Sequence, residues 1–388
     1  MAVMLVPVET GPPDGGRDSG LDAALGRALG GGAPVAPLPA NPVERGAVLA
    51  MLAPDEPVEE SDAVAVVATS GSTGRPKGVV LSRAAVAASA TATHARLGGP
   101  GDWLAALPAH HVAGFMVRAR ALLAGTAIRD VGTDLVGLPA AVRGTRRPTY
   151  LSVVATQLTR ALADPDLSAA LARLDAVLLG GGPPPAGLLD RAAAAGLRIV
   201  TTYGMSETCG GCVYDGAPLD GVEVALGAGG AISIAGPTLF TSYRRRPDLT
   251  AAALAGGGLR TSDRGRWNDG RLQVLGRFDD VVISGGTNVD LAAVERAATR
   301  WATQRNAGIA VIGVPDPEWG TAVVAVTDAA ERPGGLEDLR ADLGRTLPPP
   351  ALPRRLVHRG SIPRTAGGKI DRHRLRGELA SAADPDNE

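Results

Sequence analysis

The segment best suited to chemistry is a ten-residue run rich in hydroxyl groups and glycine. It reads Thr69-Ser70-Gly71-Ser72-Thr73-Gly74-Arg75-Pro76-Lys77-Gly78 and directly follows the apolar stretch Ala63–Ala68. Small hydroxyl residues and glycines let N–H and O–H donors close around an anion, and Lys77 adds a mobile positive charge. The lysine is followed by Gly78 instead of Ser or Thr, so the loop is not of the Walker A type. We interpret it as a phosphate-binding loop and disfavour a flexible surface turn.

This loop resembles the phosphate loop of the adenylate-forming superfamily, which includes acyl- and aryl-CoA synthetases, luciferases and peptide-synthetase adenylation domains. Four further segments resemble the other motifs of that family in the same chain order. They read Thr202-Tyr203-Gly204-Met205-Ser206-Glu207-Thr208, Leu259-Arg260-Thr261-Ser262-Asp263, Gly276-Arg277-Phe278-Asp279-Asp280 and Pro363-Arg364-Thr365-Ala366-Gly367-Gly368-Lys369. Gly180-Gly181-Gly182 ends an apolar strand and resembles the segment that passes over adenine. Five motifs in family order make the resemblance specific.

The resemblance implies ATP, Mg²⁺ and coenzyme A as cofactor and co-substrates. Glu207 would help bind Mg²⁺, since a hard cation that bridges phosphates prefers oxygen ligands. Asp263 would accept hydrogen bonds from both ribose hydroxyls. Lys369 would offset the negative charge that builds as pyrophosphate leaves, so Lys369 and Glu207 are expected to be catalytic. The other nucleotide-binding positions it implies are Thr69, Ser70, Gly71, Ser72, Thr73, Gly74, Lys77, Gly180, Gly181, Gly182, Thr202, Tyr203, Gly204, Ser206 and Arg277.

A second half-reaction with a thiol is implied in the same way. Asp279 falls on the hinge position of the family, about which a small C-terminal domain rotates. That rotation would replace Lys369 by the face carrying Gly285 and Gly286 and open a channel for the thiol of coenzyme A.

Two further segments indicate which carboxylic acid is activated. Leu107–Gly114 resembles the segment that carries a pocket aromatic or histidine, and His111 aligns with that catalytic or acid-binding position. Thr156 and the small residues from Gly204 to Gly211, with Met205 among them, are similar to those of the o-succinylbenzoate–CoA ligases of menaquinone biosynthesis. The resemblance therefore implies o-succinylbenzoate, with another acyl or aryl acid, an amide-forming enzyme or a non-catalytic nucleotide-binding homologue as alternatives.

No residue is identified for the second carboxylate of such an acid. The sequence offers many arginines, for example Arg118, Arg120 and Arg143, and we expect them to be solvated surface charges. Cys209 and Cys212 have CxxC spacing, but two more ligands for zinc are missing, so a pair of small residues beside a pocket is the favoured interpretation.

Composition excludes several classes. The 388 residues carry a formal net charge of −1 and only 3% aromatics, which argues against nucleic-acid partners. The N-terminus lacks a basic region before its apolar stretch, and no run is long enough to span a membrane. We therefore expect a cytoplasmic enzyme of small molecules (a carboxylic acid, ATP and CoA), with a homodimer as the default oligomer.

The elements that must position these residues alternate between strand and helix. The pattern from Ala63 to Thr201 predicts a doubly covered, mainly parallel α/β sheet, and short strands after Gly204 predict a β-rich subdomain. From Asp279 onward the pattern predicts a compact α+β unit. We therefore expect a large N-terminal AMP-binding domain (1–278), shortened at its start, and a small mobile C-terminal lid domain (279–388).

Overall fold

The computed structural model describes residues 3–11, 19–70, 76–331, 335–364 and 370–381. They form two compact units. The first comprises residues 1–225, 233–261 and 268–272, and the second comprises 226–232, 262–267 and 273–388. The division of the chain after residue 278 stays a prediction.

The elements of the first half of the chain are β1 (Val6–Glu9), α1 (Ser19–Leu29), β2 (Val35–Leu38), α2 (Pro42–Leu52), β3 (Ala63–Ser70), β4 (Pro76–Ser82), α3 (Arg83–Leu97), β5 (Asp102–Ala105), α4 (Val112–Ala124), β6 (Ile128–Asp130), α5 (Leu138–Ala141), β7 (Thr149–Val154), α6 (Ala155–Ala161), α7 (Pro165–Leu171), β8 (Ala176–Gly180) and α8 (Leu188–Ala194). Those of the second half are β9 (Ile199–Met205), β10 (Gly210–Tyr214), β11 (Ala217–Pro218), β12 (Glu223–Leu226), β13 (Ala231–Ala235), β14 (Ser242–Tyr243), α9 (Pro247–Ala253), β15 (Leu259–Asn268), β16 (Arg271–Arg277), β17 (Val281–Ser284), β18 (Thr287–Asp290), α10 (Leu291–Thr303), β19 (Ile309–Asp316), β20 (Gly320–Thr327), α11 (Gly335–Leu343), β21 (Arg355–His358) and α12 (Arg372–Ser381).

A seven-stranded sheet of order β11-β10-β9-β8-β7-β5-β6 forms the centre of the first unit. The five neighbouring strands β9, β8, β7, β5 and β6 are parallel. Strands β10 and β11 add an antiparallel edge. Alternate side chains of a strand point to opposite faces. Leu104 and Leu151 pack with residues of α5 to α8 on one face, while Trp103 and Tyr150 pack together and meet His94 of α3 on the other. The doubly covered sheet expected from the alternation is confirmed.

A five-stranded sheet of order β1-β2-β3-β4-β14 is the second sheet of this unit. The first three strands are parallel, and β4 runs antiparallel to both β3 and β14. Strand β4 ends where helix α3 begins, because the Ser82 hydroxyl accepts a hydrogen bond from the Ala85 N–H at 3.1 Å. Serine is among the residue types that satisfy a free N–H at a helix start, so the residue type at position 82 predicts this N-cap.

The second unit contains a three-stranded sheet of order β19-β20-β21. Both faces are buried: Val311 and Val323 pack with α10 and α11, whereas Ile312 and Val324 pack with α12. The hairpin β17–β18 is antiparallel and turns at Gly285 and Gly286. The α+β character expected for the C-terminal part is confirmed.

A four-stranded sheet of order β12-β13-β15-β16 supplies the β-rich region expected after Gly204. Within the described ranges, no helix is both long enough and apolar enough to cross a bilayer.

Candidate functional site

The predicted phosphate loop connects the two strands of a hairpin. Thr69 pairs with Lys77 and Ser70 with Pro76 in the β3–β4 ladder. A Cβ on Gly78 would lie 2.9 Å from the Met51 Sδ atom, so this position admits only glycine without a shift of its neighbours. The predicted positions Gly71, Ser72, Thr73 and Gly74 of the loop lie outside the described residues, as does Lys369.

Lys77, Tyr243 and Glu207 lie together beside this hairpin. The Lys77 ammonium lies 5.0 Å from the centroid of the Tyr243 ring, a cation–π contact. The Tyr243 hydroxyl donates to Glu207 Oε1 at 2.7 Å, and the Phe240 N–H donates to the main-chain carbonyl of Glu207 at 2.8 Å. Two residues predicted for nucleotide and metal binding are therefore joined by a tyrosine that the sequence analysis did not single out.

Tyr243 is 7% exposed, and its ionisation is suppressed. Burial first, and then the charge of Glu207, raise the pKa of the Tyr243 hydroxyl above its ordinary value. The hydroxyl therefore stays protonated and acts as a donor to Glu207, which fixes one carboxylate oxygen.

A single carboxylate would bind Mg²⁺ only together with oxygen ligands from the substrate. Among the described residues, no group of three or more His, Cys, Asp and Glu side chains could hold a metal ion. Mg²⁺ binds through one or two carboxylates together with phosphate oxygens and water. The half-buried, oriented carboxylate of Glu207 fits this pattern.

Arg244 anchors the strand that carries Tyr243. Its side chain is fully buried and forms an ion pair with Glu59 at 2.8 Å. The guanidinium also donates to four main-chain carbonyls at 2.5 to 3.1 Å, those of Leu52, Ala53, Glu56 and Pro57. The Arg244 N–H donates to the carbonyl of Gly78 at 2.8 Å, so the arginine ties β14 to the strand after the phosphate loop.

The predicted adenine segment at the end of β8 lies beside the predicted nucleotide-binding residue Thr202 of β9. The Thr202 hydroxyl donates to the carbonyl of Leu179 at 3.3 Å. A Cβ on Gly180 would lie 2.6 Å from the Thr202 Oγ1 atom, which explains the glycine at the end of β8. Gly181 and Gly182 follow directly, and Tyr203 pairs with Val213 of β10.

The turn between β9 and β10 is short and internally bonded. Ser206, which is buried, begins a 3-10 turn that ends at Thr208. The Met205 N–H donates to the Thr208 hydroxyl at 2.9 Å. A Cβ on Gly204 would lie 2.0 Å from the Gly210 carbonyl oxygen, so the two strands approach closely only because residue 204 is glycine. This turn places Glu207 at a fixed position.

Two of the predicted acid-binding residues, His111 and Thr156, lie at the starts of helices. His111 is the N-cap residue of α4, and its ring centroid lies 4.3 Å from that of His110. Burial, and then the neighbouring His111, lower the pKa of His110 to about 4. Thr156 lies in the first turn of α6, where Gln157 donates to the carbonyls of Ala106 and Thr133 at 2.9 and 2.8 Å.

Three predicted residues of the second unit meet at Arg277. Its guanidinium lies 3.7 Å from Asp263 Oδ1 and donates to Asp279 Oδ2 at 2.8 Å. Asp263, the predicted ribose ligand, is the less exposed of the two carboxylates, at 14% against 58% for Asp279. A predicted ribose ligand and a predicted hinge residue thus share one arginine.

The predicted thiol-reaction residues form the β17–β18 turn. Gly285 and Gly286 have φ values of 54° and 76°, as a two-residue hairpin turn of this hand requires. A Cβ on Gly285 would lie 2.7 Å from the ring of Trp319, and the Gly285 N–H donates to the Trp319 carbonyl at 3.0 Å. The turn is therefore fixed by both backbone conformation and packing.

The expectation that the arginines are solvated is wrong for two of them. Arg118 and Arg120 of α4 are each 3% exposed, whereas Arg143 is exposed. Arg118 is paired with Asp22 at 2.8 Å and with Asp130. A helix that contacts both α3 and the central sheet has no solvent face at these positions, and the partner Asp22 of Arg118 lies 96 positions away in sequence.

The two cysteines are buried and free. Burial raises the pKa of Cys209 to about 12 and that of Cys212 to about 11. A thiol that stays protonated is a poor nucleophile and a poor metal ligand, which supports the packing interpretation.

The sequence analysis missed Tyr243 and Arg244. A Tyr-Arg pair in a chain with only four tyrosines was a weak signal for them. The two-residue strand β14 has no periodicity, so the positions could not be assigned to an element.

Two family models match the chain. The AMP-binding enzyme model matches residues 26–244, and the model of the AMP-binding enzyme C-terminal domain matches residues 302–369. The first match ends at Arg244, so it includes both the phosphate loop and the Glu207–Tyr243 pair.

Curated relatives and solved structures agree. A probable 2-succinylbenzoate–CoA ligase of Mycobacterium tuberculosis is 45% identical over 385 residues, which are 96% of this chain and 98% of the relative. The 2-succinylbenzoate–CoA ligase of Bacillus mycoides is 32% identical over 81% of this chain and 70% of the relative. ATP-bound MatB of Rhodopseudomonas palustris has a similar fold, with a TM-score of 0.81 at 21% identity over 99% of this chain and 90% of its own. The o-succinylbenzoate coenzyme A synthetase MenE of Bacillus subtilis, in complex with ATP and magnesium, gives 0.77 at 23% identity over 96% and 89%. The chain therefore belongs to the AMP-binding, or adenylate-forming, enzyme family.

Proposed function

We propose that the protein is an AMP-forming acid–thiol ligase that converts o-succinylbenzoate to its CoA thioester through an acyl-adenylate. The observation that carries the adenylation chemistry is the Lys77–Tyr243–Glu207 contact chain beside the strand that leaves the phosphate loop. The choice of acid is supported by the 45% identical relative, which is named a probable 2-succinylbenzoate–CoA ligase and matches this chain over almost its whole length.

In the first half-reaction, a carboxylate oxygen of the acid attacks the α-phosphorus of ATP. The new O–P bond forms as the bond to the β-phosphate oxygen breaks, and negative charge accumulates on the departing pyrophosphate. We assign the offset of that charge to Lys77 and Lys369. Mg²⁺, when bound with ATP, neutralises phosphate charge, and Glu207 in the orientation fixed by Tyr243 would hold it.

In the second half-reaction, the thiol sulfur of CoA attacks the acyl carbonyl carbon and AMP leaves. Asp279 is proposed as the pivot, and Gly285 and Gly286 as the face that replaces Lys369. Thr156, His111, Gly204 and Met205 are proposed to line the acid pocket. Asp263 and Arg277 are assigned to the ribose end of the nucleotide. A cytoplasmic location and a homodimer also stay predictions.

The test is pyrophosphate release from the full chain with ATP, Mg²⁺ and a panel of acids led by o-succinylbenzoate, with and without CoA. We expect release with o-succinylbenzoate and a CoA thioester of the matching mass. Release with a different acid would keep the adenylation and refute the choice of acid. An amide product with amines in place of CoA would indicate an amide-forming enzyme. ATP binding without release for any acid would indicate a non-catalytic homologue.

A variant separates the half-reactions. Lys369→Ala is expected to abolish pyrophosphate release from ATP and acid while it spares thioester formation from a supplied acyl-adenylate and CoA. Near wild-type pyrophosphate release would refute the role of Lys369, and the proposed ligase activity would still stand.

A further inference from the structure

A basic cavity lies at one edge of the central seven-stranded sheet, where strands β5 and β7 begin. It has a volume of about 320 Å³ and is lined by Asp102, Ala127, Arg129, Gly144, Arg146 and Arg147. A volume of about 300 Å³ or more is typical of sites for small molecules. We call it the arginine cavity. None of its lining residues has a part in the proposed reaction.

The arginine cavity is separate from the proposed active site. Asp102 is the first residue of β5, and Arg147 lies two positions before the start of β7. Two residues predicted for the reaction lie at the other ends of these parallel strands: Gly180 ends β8, and Thr156 follows the end of β7. The starts and the ends of parallel strands form opposite edges of a sheet. The six residues of β7 separate these edges by about 17 Å.

One side of the cavity is rigid, because Asp102 and Arg129 hold each other in place. Asp102 Oδ1 accepts a hydrogen bond from the Ala127 N–H at 3.1 Å, and Oδ2 accepts one from Arg129 Nη2 at 3.5 Å. Arg129 Nη1 donates to the carbonyl of Ala141 at 2.8 Å. The side chain of Arg129 is still 39% exposed, against 8% for Asp102. Arg129 therefore presents a fixed positive charge to the cavity.

The loop that carries Arg146 and Arg147 is bonded to the same strand start. The Asp102 N–H donates to the carbonyl of Pro148 at 2.8 Å, and the Thr149 hydroxyl donates to the carbonyl of Arg147 at 3.1 Å. Both arginines are exposed, and within the described parts of the chain neither of them forms an ion pair. The backbone of the loop is therefore fixed, while its two guanidinium groups are available to a ligand.

The charges around the arginine cavity do not cancel. Three guanidinium groups and one carboxylate line it, which leaves two positive charges in a chain whose formal net charge is −1. Like charges that face one cavity repel each other, and a cleft lined by one sign of charge concentrates counter-ions. An anion with two negative charges would balance the site, whereas a single carboxylate would leave one positive charge over. A phosphate monoester carries a charge of about −1.5 to −2 at neutral pH and accepts paired hydrogen bonds from the planar fork of arginine.

We propose that the arginine cavity binds a phosphoryl dianion, with Arg129 as the fixed donor and Arg146 and Arg147 as the exposed donors. The Ala127 N–H is already bonded to Asp102, so recognition comes from the arginine side chains. The phosphoryl group belongs either to a soluble phosphate monoester or to the headgroup of an anionic lipid, and the chemistry of recognition is the same for both. This binding site goes beyond the proposed ligase activity and does not depend on it.

The first measurement is isothermal titration of the full chain with inorganic phosphate and with glycerol 3-phosphate, in the absence of acid and ATP. In the double variant Arg146→Gln/Arg147→Gln we expect the Kd of one bound phosphoryl group to rise by a factor of about 10 or more, because two charge-assisted donors are lost. The matched control is Arg143→Gln/Arg191→Gln, which removes the same charge from two exposed positions outside the cavity and should leave that Kd unchanged. Since all four arginines are exposed, both variants should fold. Binding at the predicted phosphate loop would be common to all three proteins.

The second measurement is co-sedimentation with vesicles of phosphatidylcholine and phosphatidic acid, and it separates the two sources of the phosphoryl group. Co-sedimentation that the control keeps, the cavity variant loses and pure phosphatidylcholine does not produce would identify a lipid headgroup. Phosphate binding without co-sedimentation would identify a soluble phosphate monoester. The inference is overturned if neither ligand binds the wild type more tightly than the cavity variant, or if the control loses the same affinity, since net charge alone would then explain the effect. No acid is turned over in these measurements, so the proposed ligase activity stands or falls separately.

Discussion

Tyr243 links Lys77, in the strand after the phosphate loop, to the proposed metal-binding carboxylate of Glu207. Its ring receives the Lys77 ammonium, and its O–H donates to Glu207. Because one bond fixes a carboxylate oxygen and the aromatic ring positions a cation, the two effects can be separated by a substitution that keeps the ring.

Tyr243→Phe removes only the hydrogen bond. We expect kcat for pyrophosphate release to fall about tenfold and the Mg²⁺ concentration at half-maximal rate to rise, since an outer-shell partner of a metal ligand is typically worth a factor of 10 to 100. The free energy of unfolding should decrease by about 1 kcal/mol. Initial rates across a Mg²⁺ titration, together with urea unfolding, check both effects.

Tyr214→Phe is the matched control. The Tyr214 hydroxyl is also buried and lies 3.1 Å from Thr93 Oγ1, in the interior of the first unit. Its loss should lower stability by a similar amount and leave the Mg²⁺ dependence unchanged. The same shift of the Mg²⁺ curve in both variants would contradict a specific role for Tyr243.

Residue roles were predictable where a motif fixes the order of chemical groups along the chain. Glu207 and Lys77 lie 130 positions apart, and the resemblance still indicated that both serve the nucleotide. Tyr243 was not predictable, because nothing in its neighbourhood shows that residue 207 faces it. Arg120 was misjudged for a related reason: an arginine is exposed in most proteins, and only the packing of α4 shows that this one is not.

At the scale of elements, the β17–β18 hairpin is defined by its two-residue turn. Both residues have positive φ, but of the two only Gly285 has a close neighbour, the Trp319 ring, in the space that an added Cβ would occupy. Strain of the backbone and steric overlap can therefore be measured separately at adjacent positions.

Gly286→Ala is expected to cost about 1 kcal/mol of unfolding free energy, from the left-handed backbone alone. Gly285→Ala should cost about 2 kcal/mol more, because its Cβ overlaps the indole ring and overpacking adds to the strain. Chemical unfolding followed by Trp fluorescence checks the difference. Equal costs at the two positions would contradict the close packing of Trp319 against the turn.

Elements with a long periodic pattern were predicted well, and short ones were not. The sequence pattern predicts a helix at Leu291–Arg300 and strands at Ala231–Ala235 and Thr321–Thr327, and the observed α10, β13 and β20 end within a few residues of these bounds. Strands β1 and β2 have four residues each, too few for a period to emerge, and were missed. Strand β4 was missed since its first residues belong to the phosphate motif, whose glycine and proline are typical of loops.

At the scale of the whole molecule, buried neutral histidines make folding sensitive to acid. His94 is 7% exposed and accepts a hydrogen bond from Trp103, which only its unprotonated nitrogen can do. Its pKa of about 4 in the folded protein lies below the ordinary value of 6.5. Between these values the unfolded chain binds a proton that the folded protein does not, so protonation favours unfolding.

The contribution of His94 to the free energy of unfolding should therefore be fully present above pH 6.5, fall as the pH decreases from 6.5 to 4, and stop changing below pH 4. Urea unfolding at half-unit pH intervals measures the slope. His94→Gln removes the titrating group and should reduce the slope in this window, to which His110 also contributes. An unchanged slope in that variant would show that His94 does not titrate with the assigned direction.

The α/β class and the α+β character of the C-terminal part followed from the order of patterns along the chain. The division of the chain after residue 278 stays a prediction, and residues 226–232 and 262–267 cluster with the C-terminal residues although they precede position 279. Local patterns show which element a residue belongs to, whereas the unit depends on contacts between residues far apart in sequence.

Arg244 and strand β14 have a consequence for how the chain is made. Arg244 bonds to Leu52, 192 positions earlier, and β14 covers the edge of β4 through Val79 and Val80. During synthesis, the five-stranded sheet therefore stays incomplete until residues 242–244 leave the ribosome. The edge of β4 remains unpaired until then. An open edge pairs readily with other chains. We therefore expect nascent chains that stall before Ser242 to aggregate more readily than the complete chain.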